Sequence, residues 1–299
     1  MKPQAPAPWV APWPEDWLVP VPDSFAFAGV AFRLRRPGAE GPLRLPHGTG
    51  APCSEAPGRP VAAEVELELR TDRTLPRERA ACGFSAQRQE HGMRVDHARG
   101  HVDLRRRAPG RYEGVAALPT DTGGSAEMDA LQAVAVAVLC AEGGAMVHAA
   151  SVEVEGAAFL FVGPSDAGKT TACVLTGGRL LAIDRAALVP QGEGWVAWAV
   201  PGGPEDEVDL PRTAEPVLPL GAILRVVQAT GEPEARLLPG VRATMVIRAA
   251  LQWPFRGARE EERAMDAADA IRRRARVGEA RTVLGRPLAP ALNDLTSRP

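Results

Sequence analysis

Residues Gly163, Pro164, Ser165, Asp166, Ala167, Gly168, Lys169 and Thr170 follow the spacing G-x-x-x-x-G-K-[ST] at every specified position, and Thr171 comes next. Residues of these types in this order can hold phosphate. The glycines let the backbone curl so that successive N–H groups and a helix N-terminus converge on an anion, and Lys169 adds a positive charge there. Asp184 lies about fifteen residues beyond Lys169, and an acidic residue on a strand beside such a loop holds Mg²⁺ directly or through water, together with the loop hydroxyl. Gly163 to Thr171 are therefore the candidate nucleotide-binding residues, and Thr170 and Asp184 the candidate metal ligands.

Composition sharpens this reading. Lysine and arginine together number 35, yet the only lysines are Lys2 and Lys169. A chain that uses arginine almost everywhere keeps lysine at the loop position where a compact ammonium on a flexible stem fits and a planar guanidinium crowds.

The loop needs a strand before it and a helix after it. Ala157 to Val162 is a continuous apolar run that reads as a buried strand, and Lys169 to Thr176 begins a helix with Gly177 and Gly178 as its cap. Met146 to Val154 reads as a strand joined to the next by a hairpin turn at Glu155-Gly156, and Leu180 to Val189 as one further strand with Asp184 at its polar end.

Residues 1–23 are rich in proline with Trp9, Trp13 and Trp17, and read as an extended arm. Residues 24–120 carry β signals, in runs such as Val30 to Leu34, Val61 to Leu69, Gly92 to Val95 and His101 to Leu104, with a long loop expected from Pro37 to Pro60. Residues 121–299 make a third region. It opens with a turn at Asp121 to Gly124 and a helix N-capped by Ser125, apolar on nearly all sides through Leu131, Val134, Val138 and Leu139 and ended by Gly143-Gly144. Farther on, Trp195 to Val200 and Gly221 to Gln228 read as strands, Met245 to Leu251 and Glu260 to Arg276 as helices, and Glu205, Asp206, Glu207 and Asp209 as an acidic surface loop.

Net charge is −2, so no global basic field argues for nucleic acid or an anionic membrane. His91, His97 and His101 fall on different predicted elements, and Cys53, Cys82, Cys140 and Cys173 show no C-x-x-C spacing, so the thiols read as reduced and the protein as cytoplasmic. The N-terminus lacks the apolar core of a signal peptide, and the longest apolar run, Ala133 to Ala141, is too short to span a bilayer.

In a fixed order, the chain shows Val147-His148-Ala149-Ala150-Ser151, the hairpin Val152 to Val162, the loop Gly163 to Thr170 and Leu180-Leu181-Ala182-Ile183-Asp184. In these features it resembles the HPr kinase/phosphorylase-like family, bacterial serine kinases whose nucleotide domain is related to phosphoenolpyruvate carboxykinase. The resemblance covers about residues 125–200 and is looser beyond. It implies an α/β fold, with a P-loop nucleotide-binding domain of the HPr kinase/PEP carboxykinase type preceded by a smaller β-rich domain. It also implies ATP and Mg²⁺ as cofactors, a homo-oligomer, and catalytic roles for His148, Lys169 and Asp184. The chain departs from the family where Arg185 follows Asp184 in place of a second acid, and it lacks the glycine-rich segment by which HPr kinases engage their protein substrate.

Two functions follow as expectations. One is an ATP-dependent phosphotransferase acting on a protein or small-molecule hydroxyl other than HPr. The other is an ATP-binding regulatory or accessory protein whose catalysis is impaired by Arg185. A switch-type GTPase is excluded because its guanine-reading motif needs a lysine after Asn or Thr. A transporter-type ATPase is a poor match, since Leu175 to Arg179 imitates its signature directly behind the loop, where it cannot face a partner's nucleotide.

Overall fold

The computed structural model describes residues 18–37, 41–46, 51–52, 61–75, 84–119, 125–200 and 217–297. The tryptophan arm at Trp9 to Trp17, the turn at Asp121 to Gly124 and the acidic stretch Glu205 to Asp209 lie outside the described residues. The fold is mixed α/β in two compact units. The first holds the described residues up to Glu142 together with Pro254–Arg256, and the second the rest.

In the first unit the strands are β1 (Leu18–Val21), β2 (Ser24–Phe27), β3 (Val30–Arg35), β4 (Leu43–Pro46), β5 (Ala51–Pro52), β6 (Ala63–Thr71), β7 (Ser85–Gln89), β8 (Gly92–His97), β9 (Gly100–Ala108) and β10 (Arg111–Leu118). They are followed by helix α1 (Ser125–Ala141). An eight-stranded sheet runs β5-β2-β3-β6-β10-β9-β8-β7, and β1 pairs with β4. Period-2 alternation builds its core: Phe32, Val65 and Tyr112 lie in one register row, Leu34 and Leu67 in the next, and all are buried. On the opposite face Arg33 and Arg35 pair with Glu66 at 3.4 and 3.2 Å, exposed contacts worth little.

Two sequence expectations change here. The segment from Pro37 to Pro60 contains β4 and β5, because Leu43 and Leu45 bury themselves once their backbone pairs with β1. The chain divides after Glu142, whereas the sequence reading began the nucleotide domain at 121. α1 packs against β8, β9 and β10, and Glu142 just beyond it accepts hydrogen bonds from Tyr112 Oη at 2.5 Å and Gly110 N–H at 3.1 Å.

The second unit contains β11 (Ala145–Val154), β12 (Ala157–Val162), α2 (Lys169–Thr176), β13 (Arg179–Ala182), β14 (Arg185–Gln191), β15 (Gly194–Val200), β16 (Val217–Gln228), β17 (Glu234–Leu237), α3 (Gly240–Ala250), α4 (Ala258–Arg274), β18 (Arg276–Thr282) and α5 (Ala289–Ser297). β12, β11, β14, β15 and β16 pair in sequence around a ring that the β12–β16 pairing closes, and β18 and β17 extend from β16. β12, β16 and β18 are parallel. One face carries α3 and α4 over Val162, Leu160 and Ile223. The other buries Ala172 and Cys173 of α2 and Leu292 of α5 with Phe159, Phe161 and Leu224.

The single strand expected from Leu180 to Val189 is two strands, broken at Ile183-Asp184. β11 pairs with β13 through Ser151 and with β14 from His148 backward; at the break between them, the Asp184 carbonyl accepts the Ala149 N–H at 3.0 Å. Among the described residues no helix is long and apolar enough to cross a membrane.

Where α2 returns to the sheet, a Cβ on Gly178 would lie 2.2 Å from the Glu153 carbonyl oxygen. Backbone cannot yield as a flexible side chain does, so Gly178→Ala should cost about 1–3 kcal/mol. The midpoint of urea unfolding checks this, and an unchanged midpoint would show that the turn relaxes freely.

Candidate functional site

β12 is apolar up to Val162 and is flanked by β11 and β16, so the chain leaves the sheet at the carboxyl end of an interior strand. The bend that follows uses two left-handed residues, Asp166 at φ 62° and Gly168 at φ 87°. Aspartate tolerates that region better than most residues, and glycine has no Cβ to clash. Gly168 then accepts the Ala172 N–H at 2.8 Å, which starts α2 and leaves the first-turn N–H groups directed back at the loop.

Lys169, the first residue of α2, is only 8% exposed. Its ammonium donates to the carbonyls of Gly163 at 3.2 Å and Pro164 at 3.0 Å. Burial pulls its pKa below the usual lysine value, while the charges of Asp184 and Asp166 oppose that shift. Pro164, Ser165, Asp166 and Thr171 are exposed, and Gly163, Ala167, Gly168 and Thr170 half-buried.

His148 and Arg185 are register partners on β11 and β14, with Asp184 immediately before β14. His148 Nδ1 lies 3.0 Å from Asp184 Oδ1, and Arg185 Nε lies 3.0 Å from Oδ2. Burial raises the Asp184 pKa, but the His148 hydrogen bond and the Arg185, His148 and Lys169 charges outweigh it and hold the carboxyl below its ordinary value. A neutral imidazole that donates from Nδ1 keeps Nε2 as its acceptor.

His148, Gly163, Pro164 and Ser165 line one cavity of about 810 Å³ within the second unit. The structure thus brings together His148, Asp184 and the start of the loop. It also adds residues that the sequence reading missed. Val162, Arg225, Glu279 and Arg236 form one register row across β12, β16, β18 and β17. Glu279, 4% exposed, accepts a hydrogen bond from Arg236 at 3.0 Å and another from Arg225. The signal for Glu279 was a lone acid among the small or apolar Val277, Gly278 and Ala280, an arrangement that suits a buried strand better than a helix end.

Burial raises the Glu279 pKa, but the two arginines outweigh it and leave the carboxyl below its ordinary value. A depressed folded pKa stabilises above the unfolded value of about 4.3 and loses that contribution as pH falls through the folded value. The stability gap between the parent and Glu279→Gln should therefore be widest above that pH and narrow in acid. Urea midpoints from pH 7 to 3 check this, and a pH-independent gap would contradict an ionised Glu279.

Mg²⁺ takes one or two carboxylates and completes its shell with phosphate and water. Thr170 and Asp184 supply one hydroxyl and one carboxylate, whose oxygens already serve His148 and Arg185. Among the described residues, no group of three or more His, Cys, Asp or Glu side chains could hold a metal. This donor set fits an ion that arrives with phosphate. No family model matches the chain, and no curated protein matches it.

Proposed function

We propose that the protein is a cytoplasmic, ATP- and Mg²⁺-dependent phosphotransferase of the HPr kinase/phosphorylase-like type, with its P-loop in the second unit and a hydroxyl acceptor other than HPr. One observation carries this reading: His148, bonded to Asp184, opens on the same cavity as Gly163, Pro164 and Ser165. Lys169 and the first-turn N–H groups of α2 grip the phosphates. His148 Nε2 takes the proton of the acceptor hydroxyl as its oxygen attacks the γ-phosphorus, the bond to the bridging oxygen breaks, and ADP leaves. Asp184 orients the imidazole and stabilises its protonated form. Thr170 and Asp184 would hold a magnesium ion arriving with the nucleotide, which would supply neutralisation of the phosphate charge.

Arg185 favours a second reading. Its guanidinium occupies the Asp184 oxygen that His148 leaves, which suits an ATP-binding regulator with little turnover. Calorimetry with ATP and Mg²⁺, followed by incubation of γ-labelled ATP with cell extract, separates the cases. A labelled acceptor supports the transferase, binding without transfer supports the regulator, and no binding overturns both.

A further inference from the structure

We propose that Arg225 and Arg236, clamped by Glu279, form an anion-binding subsite for the phosphate acceptor, which is a hydroxyl-bearing organic carboxylate or phosphate monoester. The proposal rests on the phosphotransferase reading and adds the chemistry of the acceptor.

The register row places Arg225, Glu279 and Arg236 on adjacent strands, spaced by the interstrand distance of about 4.8 Å. Glu279 is buried at the base, whereas both guanidinium groups are half-exposed. Each guanidinium carries five N–H donors, so the carboxylate fixes the two heads and leaves outward donors for a ligand. Fork-shaped donors held in place suit the paired oxygens of carboxylate and phosphate. Arg242, on the first turn of α3, lines the same cavity, and among the described residues Glu279 is the only acid lining it. Three guanidinium groups against one carboxylate leave the wall cationic.

Gly163 and Ser165 of the loop and His148, the proposed base, line the same cavity, and Val162, just before the loop, is the register partner of Arg225. An acceptor anchored by its anion on Arg225 and Arg236 shares one cavity with the histidine that takes its proton. Val241 and Met245, 81% and 53% exposed, also line the cavity, so the acceptor's carbon skeleton has an apolar surface to rest on.

The test uses the full chain, with glycerate as the carboxylate probe, glycerol phosphate as the phosphate probe, and ATP with Mg²⁺ measured separately by calorimetry. At least one probe should bind saturably, and the stronger identifies the anion. Arg236→Gln should weaken that probe about 10-fold or more while shifting ATP affinity less than about two-fold. Arg242→Gln alters an exposed helix residue outside the Glu279 cluster and should weaken the same probe, which keeps the test decisive if Arg236→Gln fails to fold. Lys169→Ala should do the converse, losing ATP and keeping the probe. Failure of both probes to bind, or equal binding to the arginine variants, overturns the subsite. A parallel loss of ATP affinity in Arg236→Gln overturns it too, because the arginines then serve the nucleotide. Probe binding by a chain that does not bind ATP leaves the subsite standing and sinks the phosphotransferase reading instead.

Discussion

Asp184→Asn should lower the rate of phosphotransfer by about 10²- to 10⁴-fold, the range that positioned acid–base groups contribute. The amide keeps the shape of the carboxylate but not its charge. It cannot stabilise a protonated His148, and it removes the negative charge that faces both His148 Nδ1 and the Arg185 guanidinium. ATP affinity in the absence of Mg²⁺ should change far less, because the loop backbone and Lys169 are untouched. Single-turnover measurements with a labelled acceptor check the rate. A rate equal to the parent's would place the proton acceptor elsewhere. Arg185→Asp provides the companion measurement. It sets a second carboxylate beside Asp184 and removes a cation, so ATP affinity should stay similar or fall.

Lys169→Ala should weaken ATP binding about 10- to 100-fold, the equivalent of one hydrogen-bonded charge at about 1.5–3 kcal/mol. The side chain is almost buried over the loop, and its partners there are backbone carbonyls of Gly163 and Pro164. A triphosphate attracts an ammonium more strongly than neutral carbonyls do, so on the proposed reading the lysine should turn from Gly163 and Pro164 to the phosphate. Calorimetry on both proteins checks this. Equal affinities would remove Gly163 to Thr170 from the nucleotide site.

The parts of the second unit that were legible in sequence are those set by local signals. The apolar run Ala157 to Val162, the Glu155-Gly156 turn and the helix Lys169 to Thr176 appear with the boundaries expected. α3 begins at Gly240 rather than Met245, with Pro239 in extended backbone at the N-cap position and no side-chain capping bond. α5 carries Pro290 in its first turn, where proline is tolerated because the missing N–H has no intrahelical partner anyway. Pairings between distant segments were not legible. The break at Ile183-Asp184 comes from β11 changing partners, and nothing within Leu180 to Val189 announces it. β18 was hidden for the same reason. Arg276 and Arg281 look like solvated residues until β16 and β17 close on either side of the strand.

The parallel pairing of β18 with β16 also sets an order of events during synthesis. Arg225 and Glu279 meet only after the chain has run through β17, α3 and α4 and come back beside β16. Parallel contacts across so long a span pay their loop-closure entropy before any pairing repays it, and they form late. The residues from His148 to Asp184 leave the ribosome well before those of β18, and the local hairpin and helix can form around them first. Glu279 therefore reaches Arg225 and Arg236 only after the residues of the candidate loop have been made, and until it does the two arginines have no shared carboxylate.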